Sequence, residues 1–236
     1  MPSPIVFPAL GRPASVTDWL RGSHVFNFNG FHRPGYDGFG ALLVFNDDAV
    51  KAGTGFPTHG HRDMEIVTLV TKGAVEHKDS TGAAGRIAAG EAQYMAAGRG
   101  VAHSEFATAD ADVELFQIWI RPRTPGGAPA YAQAPAPWGD GIFRDAVNGD
   151  GSGGALKMNQ DARVALGSFP HGGMIKLEPR TPGNGLFVFI AEGSATFAGV
   201  PLGRRDAAGF PGAAEFAAEP GTRAVLIEVP MAPWKG

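Results

Sequence analysis

The chain has no cysteine. A disulfide framework, a thiolate metal site and a thiol nucleophile are therefore excluded. Charge is also scarce. Asp, Glu, Lys and Arg make up 18% of the 236 residues, and the net charge is −3, where an ordinary domain is roughly one quarter charged. No Lys/Arg cluster accompanies the pI of about 6.1, which argues against nucleic acid as a direct ligand. No apolar run approaches the ~18 residues of a membrane span. Met1 to Gly11 shows no basic start followed by an apolar stretch, so no signal peptide is expected. The expectation is a cytoplasmic protein with neither membrane nor nucleic-acid partner.

What the chain has in excess is glycine and proline, 35 and 19 residues. Together they are about twice the usual share. They keep no period of three, which excludes collagen, and they would break most long helices. Sixteen Phe and four Trp give enough apolar surface for a core, which excludes charged, hydrophobe-poor disorder. A compact, turn-rich, all-β protein remains, as one large unit or two of about 115 residues.

Short apolar segments recur about every ten residues between Gly turns, the pattern of a sandwich or barrel. Leu42 to Phe45, Glu65 to Thr71, Ala74 to Asp79, Glu91 to Met95 and Glu114 to Arg121 read as strands. So do Ala162 to Phe169, Gly173 to Leu177, Leu186 to Ile190, Ala207 to Phe210 and Ala224 to Val229. Between the two groups, Thr124 to Gly154 is rich in Pro, Gly and Ala and reads as a connection with little regular structure. The expected organisation is an N-terminal unit at 1–123, a connection at 124–154 and a C-terminal unit at 155–236. The halves also overlay. Ile66 to Gly73 resembles Leu186 to Gly193, and Glu91 to Met95 matches Asp206 to Phe210. A repeat this long indicates duplicated domains.

The chemistry concentrates in the histidines. His59 and His61 flank Gly60, and His103 and Glu105 flank Ser104. Residues two apart on a strand face the same side. One such pair is often two exposed side chains. Two pairs from different strands of one β unit can converge and offer three imidazoles and a carboxylate. That donor set suits Fe(II), Mn(II), Ni(II), Co(II) or Zn(II) and, lacking sulfur, disfavours Cu(I). His77 lies in a strand and could be aimed at the cavity, while His24, His32 and His171 read as surface or loop residues. Glu65 is either a carboxylate that orients a ligand imidazole or an ordinary strand-start residue.

The segment from Gly53 through His59, His61 and Glu65 to Gly73 resembles the first cupin motif. Gly90 to Glu105 resembles the second, without its proline and with a longer gap from Gly98 to His103. These departures, and the strings HGHRDMEIVT, GAVEHKDSTG, YMAAGRGVAHSEF and ELFQIWI, are similar to pirins of the bacterial quercetinase-like subgroup. Gly60 stands where pirins usually carry proline. The resemblance implies a bicupin of two tandem jelly-roll (double-stranded β-helix) barrels. It implies one divalent metal on His59, His61, His103 and Glu105, with Fe(II) the first expectation and Zn, Ni, Co, Mn and Cu compatible. The second barrel is expected to lack the site, because His59 and His61 overlay on Pro179 and Thr181.

The activity implied is that of a quercetin 2,3-dioxygenase, which opens a flavonol ring with O2. Glu105 would act as ligand and as proton acceptor from the substrate hydroxyl. Phe56, Met64, Val67, Met95, Phe106, Phe116 and Ile118 are candidate cavity residues. The alternatives are a metal-bearing redox-sensing or regulatory protein, or another cupin reaction at the same site. A monomer is expected, since two fused barrels already form a pseudo-dimer.

Overall fold

The computed structural model describes residues 3–232. The strands in its first half are β1 (Ile5–Phe7), β2 (Ala14–Val16), β3 (Leu20–His24), β4 (Leu42–Val50), β5 (Gly55–His61), β6 (Glu65–Lys72), β7 (Ala74–Asp79), β8 (Ala84–Ala88), β9 (Glu91–Ala96), β10 (Val101–Ala107) and β11 (Val113–Ile120). They are followed by β12 (Ala130–Pro135), β13 (Gly139–Asp140), β14 (Phe143–Asn148), β15 (Leu156–Lys157), β16 (Arg163–Phe169), β17 (Gly173–Leu177), β18 (Asn184–Glu192), β19 (Ala195–Phe197), β20 (Val200–Leu202), β21 (Ala207–Phe210), β22 (Ala214–Ala218) and β23 (Thr222–Pro230). Each half is a cupin barrel made of one large sheet and one four-stranded sheet. The first pairs β12-β9-β6-β11-β4-β3-β2 with β5-β10-β7-β8, and the second pairs β1-β21-β18-β23-β16-β14-β15 with β17-β22-β19-β20.

The large sheets pack against each other. Their central strands are buried on both faces because one face fills its own barrel and the other meets the second barrel. In β4, Asn46, Asp48 and Val50 are buried on one face while Phe45 is buried on the other. Phe45 stacks on Phe189 at 4.3 Å, and Phe116 meets the same ring edge-on at 5.2 Å. One core cluster joins Phe7, Phe26 and Phe45 of the first half to Phe187, Val225 and Ile227 of the second. At about 1.5–3 kcal/mol for each large side chain buried, this seam is a major stabilising contact between the halves.

The 124–154 segment corrects its sequence reading. It carries β12, which pairs with β9 from Ala130 opposite Ala96 to Pro135 opposite Glu91, and also β13 and β14 on the second large sheet. Composition misled because β12 is an edge strand. An edge tolerates proline, since one row of its amides needs no partner. The N-terminus crosses in the other direction. Ile5 to Phe7 pair with β21 on the second barrel.

Candidate metal centre

The site is built on β5 and β10 of the smaller N-terminal sheet. His59 lies opposite His103, but the next pair along the ladder is Phe56 with Glu105. Pro57 and Thr58 therefore oppose Ser104 alone, a bulge in β5. Proline suits that place because it has no amide to give to the ladder. The bulge also turns the Pro57 carbonyl onto the His59 ring, whose Nδ1–H donates to it at 2.8 Å. That bond leaves His59 Nε2 with the free lone pair. Gly55 lets the strands close up, because a Cβ there would fall 2.2 Å from the Glu105 carbonyl oxygen.

His59, His61 and His103 each place a ring nitrogen within 4.8 Å of the other two. Their ring centroids lie 4.4 to 4.9 Å apart. His103 is buried, and its Nε2 has no hydrogen-bond partner. Burial, reinforced by the neighbouring imidazoles, lowers His61 to about 4 and His103 to about 3. Both rings are therefore neutral at physiological pH, the form in which histidine ligates a metal. A buried nitrogen without a partner among converging imidazoles fits a metal ion.

Glu105 is buried beside His103 and belongs with His103 and His77 to a second group of possible ligands. Gln117 Nε2 donates to its Oε2 at 3.0 Å, and Gln93 Nε2 and the Thr68 hydroxyl reach Oε1 at 3.4 Å. These polar side chains come from β11, β9 and β6 of the facing sheet. They aim the carboxylate from behind.

The centre opens into a cavity of about 430 Å³. Trp19, Phe28, Phe56, Ile66 and Trp119 supply its apolar walls. Of the seven apolar residues expected from the sequence, only Phe56 lines it. Phe116 and Ile118 belong to the seam between the barrels, and Phe106 is exposed. Periodicity shows which residues share a face but not which face turns inward. His24 is a second correction: it is buried, bonded to Asn46 and Ser15, and lines the cavity. His32 and His171 are exposed as expected. Asp48, which sequence reading missed, is 5% exposed, and its Oδ1 has no partner. Burial, with the charges of Asp47 and Glu105 adding to it, pushes its carboxyl up to about 8. Glu65 contacts no imidazole. It accepts from Tyr94 and from the Asn159 amide and so ties β6 to the second half. A polar groove of about 400 Å³ elsewhere holds Arg123, Arg163 and Arg180, each paired with a carboxylate.

Among the described residues the second barrel has no such centre. Gly73 and Gly193 hold the same left-handed turn, with φ of 70° and 75°, so His77 corresponds to Phe197. Glu105 pairs with His77 as Phe216 pairs with Phe197, and His103 pairs with His59 as Ala214 pairs with Leu177. His59, His103 and Glu105 are thus replaced by Leu177, Ala214 and Phe216. His61 falls on Pro179, beyond the end of β17. The expected counterparts Pro179 and Thr181 are displaced by two residues, because the loop from β17 to β18 is longer than the one from β5 to β6.

Fold and site together define a bicupin with one candidate metal centre. Residues 8–120 match the family model Pirin, and residues 146–229 match the model described as the quercetinase C-terminal cupin domain. A pirin-like protein of Caulobacter vibrioides is 39% identical over 194 residues, 81% of this chain and 83% of that protein. A quercetin 2,3-dioxygenase of Escherichia coli K12 is 42% identical over 154 residues, 62% of this chain and 63% of that one. The crystal structure of the E. coli bacterial pirin YhhW in complex with nickel(II) matches with a TM-score of 0.91 at 30% identity, covering 98% of this chain and 100% of that chain. The chain belongs to the pirin family.

Proposed function

We propose that the protein is a metal-dependent oxygenase that opens a flavonol ring with O2, as a quercetin 2,3-dioxygenase does. The observation that carries this reading is the convergence of His59, His61 and His103, with Glu105 beside His103, on an aromatic-walled cavity of about 430 Å³. His59, His61, His103 and Glu105 would hold the ion, with Fe(II) first among the divalent candidates and nickel supported by the YhhW complex. A divalent ion there supplies positive charge that eases ionisation of a substrate hydroxyl and leaves coordination positions for oxygen atoms.

The chain's own residues supply the rest. Trp19, Phe28, Phe56 and Trp119 hold a flat aromatic ring system and exclude water. Asp48 Oδ1 and Trp119 Nε1 are buried without protein partners and are available to the hydroxyl and carbonyl groups of a polyphenol. Glu105 accepts the proton of the reacting hydroxyl. Gln117, Gln93 and Thr68 hold its carboxylate in place. We read the enzyme as a cytoplasmic monomer acting on a small aromatic substrate, without a nucleic-acid or membrane partner. Among the described residues no helix is long and apolar enough to cross a membrane.

The test is addition of quercetin in air to iron-loaded protein. Oxygen consumption matched by carbon monoxide release is expected. Metal-loaded protein that leaves quercetin untouched would overturn the reading and favour a regulatory role or another cupin reaction. Glu105→Gln should keep its metal and lose most turnover, and full activity in that variant would remove Glu105 from the proton transfer.

A further inference from the structure

Behind His103 stands a second buried imidazole that the proposed reaction does not use. His77 lies on β7, opposite Glu105 across the ladder. Its side chain is 0% exposed, and that of Asp79 is 2% exposed. Tyr131, on β12, covers the His77 ring at 4.7 Å with the planes 25° apart.

Both nitrogens of His77 are engaged. Nε2 lies 3.2 Å from Asp79 Oδ2, and Nδ1 lies 3.4 Å from His103 Nδ1. The direction of the chain follows from the far end. Asp79 Oδ1 accepts from the Thr81 amide at 2.8 Å, the Thr81 hydroxyl at 2.6 Å and the Ala83 amide at 3.1 Å, all in the turn between β7 and β8. These three donors fix the carboxylate and leave Oδ2 for His77. Since Oδ2 only accepts, the His77 proton sits on Nε2, and His77 Nδ1 is an acceptor. His103 must then donate from its own Nδ1. The lone pair of His103 is left on Nε2, the buried nitrogen without a partner.

We propose that Asp79 and His77 are positioning residues that set the tautomer of His103 and so prepare its Nε2 to bind the ion. This rests on the reading of His103 as a metal ligand, but not on the flavonol reaction. It also gives a role to His77, which with His103 and Glu105 forms a set spaced closely enough for a second ion. A lone pair of His77 that accepts a hydrogen bond from His103 is not free for a metal.

The decisive variant is Asp79→Asn. The asparagine oxygen stays on the three turn donors, and its NH2 faces His77 Nε2. The His77 proton moves to Nδ1, donates to His103 Nδ1, and drives the His103 proton onto Nε2. The same inversion follows when an amide replaces the carboxylate behind a catalytic histidine. Ni(II) titration of the full chain should give one ion for wild type and roughly 10–100-fold weaker binding for Asp79→Asn, the usual cost of losing a partner behind a ligand. Histidine ring 15N spectra of the metal-free proteins should place the His103 proton on Nδ1 in wild type and on Nε2 in the variant. Should Asp79→Asn fail to fold, His77→Gln and His77→Phe carry the test. The glutamine oxygen can accept from His103 Nδ1–H and should hold Ni(II) within a few-fold of wild type, while phenylalanine should lose about tenfold. Wild-type affinity in Asp79→Asn with the proton still on Nδ1 would overturn the proposal. So would two Ni(II) per wild-type chain, one of them lost in His77→Phe, or no uptake by wild type at all. Protein that binds Ni(II) in this pattern yet leaves quercetin intact would instead sink the proposed reaction alone.

Discussion

The two barrels share a scaffold and differ in what fills them. In the first, Glu105 is held by Thr68, Gln93 and Gln117, one each from three neighbouring strands of the large sheet. Following the strand pairings, those positions in the second barrel are Val188, Ala208 and Leu226, all in one apolar cluster with Leu177, Phe197, Ala214 and Phe216. Asp48 corresponds to Gly167, and there Phe143 and Phe169 occupy the space. A Cβ on Gly167 would meet both rings within 2.9 Å. The polar set is thus exchanged as a unit. A buried carboxylate needs its donors, and donors without a carboxylate would be left unpaired. The empty volume goes with it, since an apolar barrel gains by closing its cavity.

The largest expected effect comes from giving the first barrel what the second has. His103→Ala reproduces Ala214. It removes the buried imidazole that lies 4.4 Å from His59 and 4.9 Å from His61. We expect Ni(II) or Fe(II) affinity to fall more than about 100-fold, because one ligand and the convergence of the set are lost together. Metal titration checks this, and near-native affinity would mean that the centre is not built on His103.

The opposite exchange separates filling from function. Phe216, the counterpart of Glu105, is fully buried between Phe143 and Phe169, each at 5.3 Å. Phe216→Ala should cost about 3–5 kcal/mol. Glu105→Ala in metal-free protein should cost less, about 1–2 kcal/mol, because the side chain borders an open cavity from which water can replace it on the Gln117, Gln93 and Thr68 donors. Chemical denaturation of the two variants gives the contrast, and equal losses would mean that the first barrel depends on its site for stability.

The sequence made the site more legible than its surroundings. Spacing of two on a strand picked out His59, His61, His103 and Glu105 because the pleat forces such residues to one side. Strand β7 was readable to its ends because Gly73 and the turn after Asp79 bound it. What could not be read was anything set by pairing between distant strands. Tyr131 reaches His77 only because β12 joins β9, and nothing in its Ala- and Pro-rich segment marks that edge. His24 looked like a surface residue because its partner Asn46 lies 22 residues away. The overlay of the halves failed by two residues at β5, where a loop length changed. It held at β6 and β7, where Gly73 and Gly193 keep the turn.

Asp48 tests what the open volume does to a lone carboxyl. Its folded-state pKa is raised to about 8, so between about pH 4 and pH 8 the native state holds a proton that the unfolded chain has released. Stability of the metal-free protein should therefore fall as pH rises through that window. Asp48→Asn cannot ionise and should lose this slope. Its advantage over wild type should be near zero at pH 4 and grow to at most about 5 kcal/mol at pH 8. Urea denaturation at the two ends of the range measures it. An advantage that does not grow with pH would show that Asp48 is ionised in the folded protein.

The smallest expected effect concerns the strand between the two ligands. Gly60 sits between His59 and His61, while the second barrel has the side-chain-bearing Glu178 at the matching place. The φ of Gly60 is not in the left-handed region, and a Cβ there would meet nothing closer than the Val101 carbonyl oxygen at 3.8 Å, an ordinary contact. Glycine is therefore not required by local geometry, and its main effect is to enlarge the unfolded ensemble. Gly60→Ala should raise stability by about 0.4–1 kcal/mol, read as a shift in denaturation midpoint at constant slope. A loss of stability would mean that β5 uses the freedom of Gly60 in the folded state, as the Pro57 bulge three residues earlier would allow.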